Sequence, residues 1–325
     1  MSRVATVLLL SGLVAGGCSA AERPRDGEPA APATSPPPSA TTREPEASPT
    51  PAPRPRPVRP GAFDARRASG VVDHLAGRIG PRHGTSPQFR EAARWVGGYL
   101  ERLGYAVERR AFDVPAGESW GVSVPAGESA NVVATPEGFD PAEPHLVVGA
   151  HLDTVPQAPG AEDNASGVGV LLAAAAAAAD RHTRLPVVWV AFGAEEPRGP
   201  SDDDHHYGSR AYVAAMGARE RAALRGMVSL DRVGVGTTVP VGSASGSDPV
   251  QRALLAAARR TGTPATPAPL QRSSDHWSFV RDGLPAARLG STPYAAYHSA
   301  ADVPSVVEPA QLSRTGRIVL AWLAP

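Results

Sequence analysis

Three short apolar runs in this chain lead into carboxylate or imidazole side chains, and that pattern limits the folds open to it. Leu146, Val147, Val148, Gly149 and Ala150 lead into His151. The run 187–192, Val-Val-Trp-Val-Ala-Phe, leads towards Glu195 and Glu196, and Met227, Val228, Ser229 and Leu230 lead into Asp231. Short, β-branched apolar runs read as buried strands. In an open α/β sheet, buried parallel strands place ligand-binding residues in the crevice beyond their carboxyl ends. His151, Asp153, Asp163, Glu195, Glu196, Asp231 and His298 are therefore expected to converge from about half of the chain.

At 325 residues the chain has room for one large domain with accessories, and its 42% apolar fraction is ordinary for a globular protein. The formal charge is zero and no basic stripe is present. Nucleic acid is excluded as an expected partner; a peptide or small molecule fits better. Arg3, an apolar stretch at 4–14 and then Ala15, Gly16, Gly17 and Cys18 read as an export signal over residues 1–17. The apolar part is too short to cross roughly 30 Å of hydrocarbon. Small residues before the single cysteine resemble a bacterial lipoprotein signal, cut before Cys18, whose thiol then carries lipid; Ala15 stands where such signals usually have Leu or Val. That expectation puts the protein on the extracytoplasmic face of the cell membrane, held by its lipid. The alternative is an ordinary secreted protein with a stray thiol. One cysteine forms no intrachain disulfide, so the fold rests on its core and on whatever its acidic and imidazole groups bind.

Residues 18–60 are rich in Pro, Ala, Ser, Thr, Glu and Arg, and read as an extended tether of about 3 Å per residue, which cannot bury enough apolar surface to offset its ordering entropy. The globular domain is expected over residues 61–325, with no second domain. Helical periodicity predicts helices at 88–103, 166–179, 209–224, 248–260, 275–280 and 309–321. The repeated Pro-Ala-Gly-Glu-Ser at 115–119 and 125–129 reads as two turns of one hairpin. Strands alternating with helices argue for an α/β fold with a mostly parallel central sheet and helices on both faces.

His151 and Asp153 sit at i and i+2, on one side of an extended segment. The imidazole can ligate a metal while Asp153 fixes its tautomer, although such pairs are also common on surfaces. Asp163, twelve residues on, follows a Gly-containing turn and precedes a helix, where a carboxylate can bridge two cations. Adjacent side chains at a strand end point apart, so one of Glu195 and Glu196 can bind metal while the other serves as a base. Asp231 ends a buried strand, a place from which Asp is excluded unless paired or ligated. Oxygen and nitrogen donors without thiolate suit zinc, and five ligands with one shared make two three-ligand sites with open positions, as catalytic zinc keeps.

In the order and spacing of these residues, from Gly80, Pro81, Arg82, His83 and Gly84 to Asp302, the chain resembles the co-catalytic di-zinc aminopeptidases, a group that includes secreted bacterial aminopeptidases, glutamate carboxypeptidase and glutaminyl cyclases. The resemblance implies a zinc-exopeptidase fold and two zinc ions. One would be held by His151, Asp163 and Asp231, the other by Asp163, Glu196 and His298. Glu195 would be the general base and Tyr297 the oxyanion support. A cis peptide between Asp163 and Asn164 is implied as well. The implied activity is hydrolysis of amino-terminal peptide bonds. Glutaminyl cyclisation with one zinc, or a tethered binding lipoprotein without chemistry, are the alternatives; cyclases tend to have Trp at the place of Tyr297.

Two departures stand out. Residues 197–207 insert Asp202, Asp203, Asp204, His205 and His206 where relatives have a short loop, and like charges in a row favour a solvated loop. Arg232 stands where relatives mostly have an apolar residue; it either clamps a substrate carboxylate or pairs with a nearby acid. Asp275 and His276 resemble a segment on the substrate side, although a helix cap at Ser273 or Ser274 explains much of that motif.

Overall fold

Four parallel strands form the centre of the protein: β5 (His145–His151), β6 (Val187–Phe192), β7 (Leu224–Asp231) and β10 (Ala286–Gly290). They adjoin in the order β6-β5-β7-β10. Around them lie β1 (Ala106–Val114), β4 (Gly127–Thr135), β8 (Val239–Gly242) and β9 (Ala265–Ala268), completing an eight-stranded sheet in the order β1-β4-β6-β5-β7-β10-β8-β9. The parallel centre is as expected. The margins are mixed, because β1, β4 and β6 pair antiparallel, as do β10 and β8. The structure, a computed structural model, describes residues 55–245 and 248–325. The expected signal at 1–17, Cys18 and the tether up to residue 54 lie outside the described residues.

Successive side chains of a strand face opposite sides, so the central runs feed two cores. Leu146, Val148 and Ala150 of β5, with Trp189 and Ala191 of β6, pack into one cluster. That cluster takes in α1 (Ala65–Val72), α2 (Pro87–Arg102), α3 (Gly167–Ala178), α6 (Pro249–Thr261) and α8 (Pro309–Leu323). Val147, Val188, Val190 and Phe192 face the other way. They meet α4 (Tyr207–Ala215) and α7 (His276–Arg281) through Tyr212, Val213 and Phe279. A three-layer α/β fold results. Nearly every face of α3 is buried, which its small, apolar sequence permits. Ser86 caps α2 by accepting from Phe89 N at 3.0 Å with Pro87 at the first helical position, and Asp248 caps α6.

Three expectations are corrected. The repeats at 115–119 and 125–129 are not turns. The chain leaves β1 at Pro115, makes a second small hairpin of β2 (Gly117–Ser119) and β3 (Val122–Val124), and re-enters β4 after Pro125. The single tight turn is Trp120-Gly121, both with positive φ. The helix expected at 209–224 is two, α4 and α5 (Ala218–Ala223), broken at Met216 and Gly217 where extended dihedrals interrupt it. The folded part begins before residue 61: Pro57 bridges to His182 and Val58 is buried in the core. Among the described residues no helix is long and apolar enough to cross a membrane.

Candidate metal centre

The carboxyl ends of the four central strands bring the expected residues together. β5 ends on His151 and β7 on Asp231; three and four residues beyond β6 come Glu195 and Glu196, and the loop after β10 carries Tyr297 and His298. Asp163 arrives on the crossover from β5 to α3. Its peptide with Asn164 is cis, as expected. Among the described residues, six of the seven non-glycine positions with positive φ border this crevice: Trp120, Ala194, His206, Arg232, Ser291 and His298. Such conformations cluster where the surroundings hold functional groups in fixed directions.

Asp163 divides its two oxygens. Oδ1 lies 3.2 Å from His151 Nε2 and Oδ2 lies 3.0 Å from His298 Nε2. Asp231 Oδ1 is 3.8 Å from His151 Nε2, and Glu196 Oε2 is 3.6 Å from His298 Nε2. The five side chains therefore run as a chain, Asp231, His151, Asp163, His298, Glu196. Two ligands about 2.0–2.1 Å from a tetrahedral zinc stand about 3.3 Å from each other, close to these four separations. Glu196 Oε1 and Asp231 Oδ1 are buried without a hydrogen-bond partner, an arrangement a bound cation would resolve. The chemistry and spacing of these residues thus fit zinc. Glu195 is nearby as well: its carboxylate, His151 and Asp231 offer atoms within 4.8 Å of one another, as do His151, Asp163 and Glu196.

The electrostatics express an excess of acid. Burial, with Asp163 and Glu195 beside it, pushes the Glu196 carboxyl well above the usual carboxylate range. Burial opposes charge on His151 too, but Glu195 and the carboxylates bonded to it outweigh this and raise its imidazole. Against the same desolvation, His151 and His298 pull Asp163 below the carboxylate range, and His151 with Arg232 holds Asp231 at about 2. Such opposed shifts in one cleft mark a functional site.

Asp153 plays a different part from the one expected. His151 Nδ1 faces the backbone carbonyl of Asp153 at 3.2 Å, whereas the Asp153 carboxylate is 3.7 Å away. The carbonyl fixes the tautomer. The carboxylate accepts from the backbone N–H groups of Glu195 and Glu196, at 3.0 and 3.1 Å, and so aims both glutamates. Arg232 takes the second of its two alternatives: Nε lies 3.6 Å from Asp231 Oδ1, Nη2 donates to Ser291 Oγ at 2.9 Å, and the guanidinium sits 4.4 Å above the Tyr297 ring. Tyr297 itself stacks on His298 and is 37% exposed, beside the cluster as expected. Asp275 and His276 do not line the crevice. Both are 0% exposed, and His276 Nε2 is held by the Gln271 carbonyl at 2.8 Å, so they are corrected from substrate contacts to interior groups behind Glu195.

Four further residues belong to the site. Asp302 accepts from Glu162 N and Asp163 N, at 2.8 and 3.1 Å, and fixes the segment that carries Asp163. Arg82 is buried and donates to the carbonyls of Leu152, Pro159 and Gly160, tying down the loop between His151 and Asp163. Trp120, 56% exposed at its hairpin tip, sets its ring against His298 with centroids 4.4 Å apart. His206, on the loop expected to be solvated, is buried with Nε2 3.1 Å from Glu195 Oε1. In sequence, Trp120-Gly121 gives a turn signal and His206 follows a polar run, but neither pattern points towards residues so distant in the chain.

A buried set of carboxylates and imidazoles at the switch of a doubly covered α/β sheet defines the class, a hydrolase of the metallopeptidase type. A model of peptidase family M28 matches residues 131–323, and the chain belongs to peptidase family M28. A probable zinc metalloprotease of Pyricularia oryzae is 29% identical over 209 residues, which are 58% of this chain and 38% of that protein. The chain thus spans well under half the length of that curated relative. Among solved structures, a zinc aminopeptidase from Bacillus subtilis is similar with a TM-score of 0.71 at 17% identity, over 80% of this chain and 94% of that one. The glutaminyl cyclase of Porphyromonas gingivalis is similar with a TM-score of 0.69 at 23% identity, over 81% of this chain and 98% of that one. At these identities the likeness shows the fold.

Proposed function

We propose that this protein is a zinc-dependent aminopeptidase, hydrolysing amino-terminal peptide bonds with two zinc ions sharing Asp163. The observation that carries the reading is the division of Asp163 between His151 and His298, at 3.2 and 3.0 Å. His151, Asp163 and Asp231 would hold one ion, and Asp163, Glu196 and His298 the other. Bound zinc would acidify a water towards about pH 7 and polarise the scissile carbonyl. Glu195 is then placed to take the proton of the attacking water: it follows the same strand as Glu196, is only slightly exposed, and has Oε2 4.0 Å from His151 Nε2. As the C–N bond breaks, Glu195 returns the proton to the leaving amine. The Tyr297 hydroxyl supports the oxyanion in this reading.

The test is a panel of aminoacyl anilides and amides, free and N-acetylated, together with Gln-initial peptides, with chelator and after zinc is restored. Expected is chelator-sensitive hydrolysis of the free-amine substrates only. Ammonia release from Gln-initial peptides without hydrolysis of the others would favour a cyclase, the activity of a structural neighbour, and no turnover of either would favour a binding protein. Export and anchoring through a lipid on Cys18 belong to the same proposal, supported by the signal-like residues before it; labelled fatty acid should enter the wild-type protein and not Cys18→Ala.

A further inference from the structure

The insertion at 197–207 folds so that the chain returns to Glu195. Arg198 N donates to the Asp204 carbonyl at 2.8 Å, and Ser201 N and Oγ donate to Asp204 Oδ2 at 3.0 and 2.6 Å, which closes the loop on itself. From outside, Arg281 Nη1 holds Asp203 at 3.0 Å. His206 N and Tyr207 N then donate to the carbonyls of Glu195 and Ala194, each at 2.9 Å. His206 has a φ of 58°, in the left-handed region that a non-glycine residue occupies at a cost. Its imidazole is buried, with Nε2 3.1 Å from Glu195 Oε1. Both the backbone and the side chain of Glu195 are thereby tied to one residue.

We infer that His206 is a positioning residue for the proton acceptor: it holds Oε1 of Glu195 so that Oε2 alone faces the metal cluster. The inference rests on the reading of Glu195 given above. An ionised carboxylate only accepts, so the ring nitrogen facing it carries the proton. The terminal torsion of a glutamate is broad, and a hydrogen bond from a buried imidazole narrows it where the dielectric is low. The restraint has a specific purpose here. Even with this bond in place Glu195, His151 and Asp231 offer atoms within 4.8 Å of one another, so a Glu195 freed of it has a second oxygen to turn onto the cluster, where it becomes a ligand and leaves the water without an acceptor.

The experiment compares His206→Leu, His206→Gln and Glu195→Gln, each zinc-loaded, by steady-state kinetics, elemental analysis and crystal structure. Expected for His206→Leu is full zinc, a kcat lower by about 10–100-fold, the range for losing a partner behind a metal site, and a KM within about twofold. Its Glu195 carboxylate should be turned onto a metal or spread over two orientations. His206→Gln, which keeps an N–H donor, should recover most of kcat and a single Glu195 orientation. A His206→Leu protein with wild-type kcat, or one whose kcat falls only in step with lost zinc, overturns the inference, as does His206→Gln being no better than His206→Leu. The two failures are separable. Near-wild-type turnover by Glu195→Gln refutes the reading of Glu195, whereas an inactive Glu195→Gln beside an unimpaired His206→Leu refutes only the role of His206.

Discussion

Removing the metal should destabilise this protein, and by more at pH 8 than at pH 5.5. Atoms of Glu195 and Asp231, and of Asp163 and Glu196, lie within 4.8 Å of each other. At that distance each pair of negative charges repels by about 3.5 kcal/mol at an effective dielectric of about 20. Metal-free protein relieves this by keeping protons. Burial and the acids beside it raise Glu196; burial opposes charge on His151, but the acids around it outweigh this and raise it too. The native state therefore keeps protons that the unfolded chain releases, the Glu196 proton from above the ordinary carboxylate range and the His151 proton from above about pH 6.5. Stability then falls with rising pH, by about 1.4 kcal/mol per unit for each retained proton. Asp163 and Asp231 are held low and are ionised in both states across this window, so they add no slope. At about 2–4 °C per kcal/mol for a domain of this size, each pH unit over which one proton is retained should widen the melting gap between zinc-loaded and stripped protein by about 3–6 °C, so the gap is larger at pH 8 than at pH 5.5. The assay is calorimetry on protein stripped to below about 0.1 zinc per chain, with zinc restored as the control. Equal melting of stripped and loaded protein at both pH values, or a larger loss at pH 5.5, would mean that repulsion within the acid cluster does not govern the stability of the metal-free protein.

Glu195→Gln should retain the wild-type zinc content yet lose at least about 10³-fold in kcat, measured on the best aminoacyl anilide; a near-wild-type rate removes Glu195 from the chemistry. Gly149→Ala tests the packing under the site, because a Cβ there would stand 2.3 Å from Phe192 Cε2. It should cost about 1–3 kcal/mol in denaturant unfolding, and a neutral outcome shows that the Phe192 ring shifts freely.

The candidate metal-binding residues are legible in the sequence because burial writes a signature around them. A continuous apolar strand ending in His151 or Asp231 leaves that polar group no solvent, so a ligand or a charge partner must stand beside it. Asp163 is legible from its place between a turn and a buried helix, and the parallel centre of the sheet follows from the same runs. What escapes are contacts whose two halves are far apart in the chain and individually ordinary. The three aspartates at 202–204 do face water in part, and the like-charge argument is sound for Asp202 and Asp203, but backbone bonds to Ala194 and Glu195 carry His206 from that loop into the interior. Trp120 sits at the tip of an eight-residue hairpin whose three-residue strands are too short to show a period. Asp153 is found, yet its role is not: a carboxylate at i+2 from a histidine suggests a side-chain contact, whereas the turn presents the carbonyl instead.

The proposal that Asp163 serves two ions is tested most directly by zinc per chain after saturation and gel filtration. The wild-type protein should hold two zinc ions, Asp231→Ala one, and Asp163→Ala fewer than either because both ions lose a ligand at once. Two zinc ions retained by a folded Asp163→Ala would contradict it.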